Sequence, residues 1–243
     1  MTTPLLARAR AAATPARTAA TAAVAIALVS IVAVASLLDG IGENGDAATL
    51  DRPTLTWFVA HRDSALTAVA RGLSTVGSPG VLLGIAVLAL AVLAWRRRFD
   101  EALLFAFGAA ESIALVLKHV VGRLRPPAVD VVGPVETTLS FPSGHTIGTA
   151  ALALVIAYLW WRRSPGVRRA LVGLGAAVLA IGVMAASRLY LGDHWLTDVL
   201  GSVVLAVGVM GLVVLADLWL RRHGPAWLRA SRREPEGQVV PAA

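Results

Sequence analysis

Six apolar stretches constrain this chain more than any other feature: residues 18–38, 79–95, 102–121, 145–161, 170–187 and 196–219. A helix needs about 20 apolar residues to cross the hydrocarbon of a bilayer, within a range of about 17–25. All six stretches qualify. None alternates with period two, so only the α-helix can satisfy their backbone polar groups in lipid. The expected fold class is all-α, a six-transmembrane-helix bundle. Composition agrees, with 57% of the 243 residues hydrophobic and 15% charged, where a soluble domain carries about 25% charged.

Positive charge orients the bundle. With a cytoplasmic N-terminus, fifteen of the 22 Lys and Arg residues fall in inner segments, among them Arg96, Arg97, Arg98, Arg162, Arg163, Arg168 and Arg169. Such an excess marks the cytoplasmic side, and Trp95, Trp160, Trp161 and Trp219 fall at inner ends, as interfacial tryptophans do. This placement accounts for the net charge of +7 without nucleic acid. The absence of cysteine excludes disulfides and thiolate metal sites.

Residues 1–17 then form a cytoplasmic N-terminus, 18–220 the membrane domain and 221–243 a basic, flexible cytoplasmic tail that touches anionic headgroups. The first apolar stretch, with arginines before it and Ala33-Val34-Ala35 inside it, also has the outline of a cleavable signal peptide; its length favours a retained span. The longest outer segment, 39–78, opens with turn residues and acids and continues as LDRPTLTWFVAHRDSALTAVARGLS. Apolar residues recur there at helical spacing, with Pro53 near a helix start. Short amphipathic helices on the outer membrane surface are expected.

The outer ends of the last four stretches carry KHVVGRLRP at 118–126, PSGH at 142–145 and SRLYLGDHWLTD at 187–198. An orientation drawn from arginines and hydropathy alone brings all three to one side. Lys118, Arg125 and Arg188 supply cations suited to phosphate oxygens. Ser143 and Gly144 precede a helix, whose N-terminus is a ready anion site, and Gly144 allows close approach to the backbone. His145 and His194 can each act as nucleophile, base or acid near pH 7. Asp198, four residues after His194, shares its helix face if the sixth helix has begun there; it would fix the tautomer and stabilise a positive ring. Asp193, adjacent in sequence, should point elsewhere. The chemistry this suggests is phosphoryl transfer to His194, protonation of the leaving oxygen by His145, and hydrolysis of the phosphohistidine, with the cations on the equatorial oxygens.

Other polar residues have plainer readings. Arg123 fits contact with headgroups, or with substrate. Ser187 fits a structural hydrogen bond as well as a motif role. Glu111, about two turns below Lys118, either pairs with a buried hydroxyl or lines the cavity under the phosphate. His119 points roughly 100° away from Lys118. Asp217, four residues before Arg221, fits an ion pair at the inner helix end.

The pattern K-x6-RP, PSGH, SR-x5-H-x3-D resembles the type 2 phosphatidic-acid phosphatase superfamily. It is met without substitution by Lys118, Arg125 and Pro126; by Pro142, Ser143, Gly144 and His145; and by Ser187, Arg188, His194 and Asp198. The resemblance implies a metal-independent phosphatase, without cofactor, acting on lipid phosphates at the membrane surface. It implies His194 as nucleophile, Asp198 as the group that orients it, His145 as general acid, and Lys118, Arg125, Ser143, Gly144 and Arg188 as the phosphate-binding set. Substrates of the polyprenyl diphosphate, phosphatidic acid and phosphatidylglycerol phosphate types fit equally. The partners are then the lipid phosphate and the bilayer, with no nucleic acid. Alanine-rich, arginine-over-lysine usage suggests a bacterial source, which puts the chain in the plasma (inner) membrane with its active site on the extracytoplasmic face. A lipid phosphotransferase, and a non-catalytic lipid-phosphate binding or transport protein, are the alternatives. A transporter site usually lies near the bilayer midplane, whereas this polar set lies at one surface.

Overall fold

The computed structural model describes residues 4–42, 48–95 and 102–224. Among them the α-helices are α1 (Pro4–Gly42), α2 (Asp51–Ala60), α3 (Ser64–Val76), α4 (Pro79–Trp95), α5 (Ala102–Val121), α6 (Gly144–Arg163), α7 (Val167–Leu191) and α8 (Leu196–His223), and no strand occurs among the described residues. The six apolar stretches fall in α1 and α4 to α8. Among the described residues, four helices are long and apolar enough to cross a membrane: α1 over Arg17–Gly42, α6, α7 and α8. The α3–α4 pair, bent by 52°, makes a fifth if taken as one broken span. Arg96, Arg97, Arg98 and the tail from residue 225, which carry part of the inner-side charge argument, lie outside the described residues.

The bundle is organised around α6. Half of its apolar window is buried, against 17% for α1. One core layer joins Leu82 and Leu90 of α4, Phe107 of α5, Leu152, Val155 and Leu159 of α6, and Val209 and Val213 of α8. A second layer, nearer the end that holds the residues of the three motifs, is mostly small: Ala110, Ala114, Ala150, Ala151 and Ala206 around Ile147 and Ile181. Small residues let helices approach closely in lipid, where apolar burial gives helices little reason to associate. The same device joins α1 to α8. A Cβ added at Gly211 would lie 2.8 Å from the Ala23 carbonyl oxygen, and one at Gly208 2.9 Å from Ser30 Cβ.

Helix ends set the positions of the polar side chains. The Ser143 hydroxyl caps α6 by accepting from the Thr146 N–H at 3.4 Å, the usual service of serine at that position. Helix α7 stops at Gly192, whose φ is +77°, a left-handed cap that glycine adopts without strain; a Cβ there would also collide with the Asp130 carbonyl. Residues 192–195 then turn the chain back, and α8 opens with Asp198 accepting from the Trp195 N–H at 2.9 Å.

The long first loop does contain two helices, α2 and α3, and both are tied to α7. The Asp63 N–H donates to the Tyr190 hydroxyl at 2.9 Å, and Arg62 donates to the carbonyls of Tyr190 at 2.9 Å and Asp130 at 2.7 Å. At the opposite end of the bundle the expected Asp217–Arg221 pair is present at 2.9 Å. It belongs to a larger knot, because Asp217 also accepts from the Tyr158 hydroxyl at 2.7 Å and Arg162 at 2.6 Å. That knot joins α6 to α8.

Candidate active site

The last turn of α5, the first turn of α6, the α5–α6 loop and the turn between α7 and α8 enclose a cavity of about 260 Å³. Lys118, Arg125, Gly144, His145 and His194 line it, together with Glu111, Glu136 and Thr138 and an apolar side of Pro79, Ala114 and Leu115. Five of the eight residues expected from the sequence therefore meet at one space. The other three, Ser143, Arg188 and Asp198, stand behind its wall, all buried.

His194 is 1% exposed. Its Nδ1 lies 3.5 Å from Asp198 Oδ2, long for a hydrogen bond. The pairing does not arise from a shared helix face, as the sequence spacing suggested: α8 begins at Leu196, so His194 precedes it. The contact forms because Asp198, in the first turn of α8, folds back toward the incoming chain. Asp198 is fully buried and well supplied with donors: Arg123 Nη1 at 2.6 Å, the Trp195 N–H at 2.9 Å and the Ser140 hydroxyl. A buried carboxylate needs such partners to stay charged.

Burial pushes the His194 imidazole below its ordinary pKa; Asp198 opposes this, and Arg125 and Lys118 reinforce it. The ring is thereby held neutral near pH 7. With Asp198 on the Nδ1 side, the proton belongs on Nδ1 and the lone pair on Nε2. Nε2 is 3.3 Å from Arg125 Nη1.

Arg125 is held by a fan of acceptors: the Thr138 carbonyl at 2.7 Å, the Asp193 carbonyl at 2.8 Å, the Thr138 hydroxyl at 2.9 Å and Glu136 Oε2 at 2.5 Å. Lys118 Nζ donates to the Leu139 carbonyl at 2.5 Å. Burial alone would raise the Glu136 carboxyl, but Arg125, His145, His194 and Arg188 outweigh it and hold the group below its usual range. The space around Glu136 is thus one where several positive or ionisable nitrogens converge on an anion.

Arg188 is 1% exposed. Its Nη1 lies 3.1 Å from Asp193 Oδ2, so Asp193, set aside in the sequence reading, has Arg188 for its partner. Burial raises the Asp193 carboxyl above its ordinary value, and Arg188 offsets part of that rise. Arg188 Nε and Nη2 have no acceptor among the described residues. Buried donors are usually satisfied, so these two nitrogens stand out as open to a further acceptor.

Ser143 is engaged within the protein. Its hydroxyl caps α6, and its N–H donates to Ser202 Oγ at 2.8 Å. Gly144 and His145 are the first two residues of α6, and N–H groups at those positions have no acceptor within their own helix. A Cβ on Gly144 would meet only Pro79 Cγ at 3.6 Å, ordinary contact, so protein packing does not by itself require glycine there.

The plainer residues sort themselves. Arg123 is no headgroup contact: it is mostly buried and pairs with Asp198, because an arginine fork satisfies that carboxylate better than any group in the same loop. Ser187 donates to the Met184 carbonyl at 2.9 Å, a structural bond. Glu111 lines the cavity, and its Oε1 is buried with no partner among the described residues; no hydroxyl pairs with it. His119 is exposed and bonds to its own helix. Glu136, Thr138, Ser140 and Ser202 were not singled out from the sequence. Ser140 and Thr138 do lie just before PSGH, which was the available signal. Glu136 and Ser202 had none beyond being polar near a motif.

Comparison with known proteins adds an independent line. Residues 102–222 match the family model described as the PAP2 superfamily. The chain is 33% identical over 168 residues to phosphatidylglycerophosphatase B of Bacillus subtilis, covering 68% of this chain and 81% of that protein. It is 36% identical over 172 residues to decaprenylphosphoryl-5-phosphoribose phosphatase of Mycobacterium tuberculosis, covering 69% and 83%. Among solved structures, a transmembrane PAP2 type phosphatidylglycerolphosphate phosphatase from Bacillus subtilis aligns with a TM-score of 0.72 at 27% identity, over 81% of this chain and 98% of that one.

Proposed function

This chain belongs to the PAP2 superfamily, and from that membership we propose that it is an integral-membrane lipid phosphatase working through a phosphohistidine at His194. The observation that carries the proposal is the cavity that brings His194, His145, Lys118 and Arg125 together. A phosphate in it takes hydrogen bonds from Lys118, Arg125, the spare nitrogens of Arg188 and the N–H groups of Gly144 and His145. Ser143 supports that seat by capping α6. The Nε2 lone pair of His194 attacks phosphorus, and an N–P bond forms as the P–O bond to the lipid breaks. His145 gives its proton to the departing oxygen. Water then attacks phosphorus, His145 takes its proton, and the N–P bond breaks to restore His194 and release phosphate. The cations act on charge that grows in the transition state.

Six spans fit the helices, with α4 and α5 joining the four most evident ones and α2 and α3 resting on the outer surface. Both termini are then cytoplasmic and the cavity opens on the extracytoplasmic face of a bacterial plasma membrane. The packing of α1 along α8 supports a retained first span. Residues 18–220 form the membrane domain and 221–243 a cytoplasmic tail. Leu115 lines the cavity and is 60% exposed on the side of the bundle, which supports a lipid tail leaving between α4 and α5.

The test is phosphate release by purified protein in detergent, with excess chelator, from phosphatidylglycerol phosphate, phosphatidic acid, a polyprenyl diphosphate and a polyprenylphosphoryl phosphoribose. Wild type should release phosphate and His194→Ala should fall by at least about 10³-fold. Release by His194→Ala at the wild-type rate would remove the nucleophile. Activity lost to chelator and restored by one divalent ion would remove the metal-independent mechanism.

A further inference from the structure

Asp51 is the first residue of α2, in the loop that precedes all three motifs and outside residues 102–222 that match the family model. It is 4% exposed, which is unusual for a carboxylate at the surface end of a bundle. Its Oδ1 accepts the Thr197 N–H at 2.9 Å, and its Oδ2 accepts the Thr197 hydroxyl at 2.8 Å and Arg123 Nη2 at 2.5 Å. Thr197 is in the first turn of α8, so Asp51 satisfies one of the backbone donors that a helix start leaves over. Arg123 spans two carboxylates, with Nη2 on Asp51 and Nη1 on Asp198, and Nη1 also donates to the Thr197 hydroxyl at 2.7 Å. The Trp195 ring covers the guanidinium, 5.7 Å from its carbon to the ring centroid.

We propose that Asp51 and Arg123 are positioning residues of the active site: a clamp between the first loop and the start of α8 that aims Asp198 at His194 and keeps one net negative charge beside it. The inference rests on the reading of His194 as nucleophile. Arg123 alone would neutralise Asp198 and remove its support for a positive ring. Asp51 balances Arg123, so the trio of two carboxylates and one guanidinium leaves a single negative charge behind Nδ1. The fork geometry of arginine matters as much as its charge, because the two nitrogens face two carboxylates on different elements.

The remaining ionisable groups around His194 stay fixed in such a comparison. They are Asp198 behind Nδ1, with the uncharged Ser140 hydroxyl beside it, Arg125 and Lys118 toward the cavity, Glu136, His145 and Arg188 across it, and Asp193 next in the chain. None of them touches Asp51.

The experiment compares Asp51→Asn, Arg123→Gln and the double variant with wild type in the full-length protein. Two readouts are followed: the acid limb of kcat/KM for phosphate release from phosphatidic acid in mixed micelles, and the NMR titration of the His194 ring in histidine-labelled protein, assigned with His194→Gln. Removing a nearby positive charge favours the imidazolium, and removing a negative charge disfavours it. Arg123→Gln should therefore move both readouts up by about half a pH unit, Asp51→Asn should move both down by a similar amount, and the double variant should return near wild type. KM should change little. A fall in kcat with the limb and titration unmoved, or shifts of the same sign in both single variants, would overturn the clamp and leave a structural staple. Arg123→Lys, which keeps the charge and loses the fork, covers the case of a variant that does not fold. It should lower kcat with the titration in place, and a displaced titration there would overturn the charge balance. The ring titration needs no substrate. A wild type that releases no phosphate counts against the phosphatase reading, while the opposed shifts still decide the clamp.

Discussion

At the scale of the residue, the deciding fact is an imidazole that is 1% exposed. Burial holds His194 below its ordinary pKa of about 6.5, in spite of Asp198. The proposed attack needs the neutral ring, so activity should persist below pH 6.5 and fall only as the pH drops through the lowered value. The acid limb of kcat/KM measures this, and a limb above 6.5 would mean that the ring is not the buried one. Stability carries the same sign. The unfolded chain takes up a proton that folded His194 refuses, so its contribution is present above about pH 6.5 and lost as the pH falls from there. That Lys118, Arg125, His145 and His194 meet at one cavity was readable in the sequence, because each stands at a helix end, or in the turn beside one, on the same side of the bundle. Arg123 was misread for a physical reason. An arginine at an outer helix end suits a headgroup equally well, and the carboxylates that claim it lie 75 and 72 residues away. Asp51 and Glu136 could not have been found, since each acquires its meaning from a partner that only the fold brings near.

At the scale of the element, α8 holds the molecule together. Its N-terminal end carries Asp198, and its Ser202 hydroxyl receives the N–H of Ser143 at the start of α6. Its C-terminal end carries Asp217, knotted to Tyr158 and Arg162 of α6. Its flank receives α1 across Gly208 and Gly211. Gly211→Leu should therefore push α1 away, at a stability loss of about 1–3 kcal/mol from overpacking. Thermal unfolding in detergent would register the loss, while activity per folded molecule stays near wild type because the cavity lies on other helices. The length of the apolar runs located all six long helices. It also placed most of their ends, with α4 and α5 matching their stretches at both ends; the exception is α1, which starts at Pro4 instead of residue 18, since alanine and arginine favour helix whether or not they are in lipid. The tie of α2 and α3 to α7 was likewise invisible, because Arg62 and Tyr190 are 128 residues apart.

At the scale of the whole molecule, the proposed orientation can be tested with single cysteines, since the chain has none. Val129 is 89% exposed in the loop beside the cavity, and Ser164 is exposed at the opposite end of the bundle. Val129→Cys should react with a membrane-impermeant reagent in intact cells, and Ser164→Cys only after lysis. The reverse pattern would invert the molecule and put the chemistry in the cytoplasm.

The size of the cavity has a consequence of its own. Sites that enclose a drug-sized ligand run to roughly 300–1,000 Å³, and this one holds about 260 Å³. A phosphate group fits there with space left over, but a long hydrocarbon chain does not, so the chain of the proposed lipid substrate stays in the leaflet. For the substrate class proposed above, the bilayer is then the other half of the binding site. What the enzyme senses is a surface density, headgroups per unit area in two dimensions. Inert lipid thins that density as added water thins the substrate of a soluble enzyme.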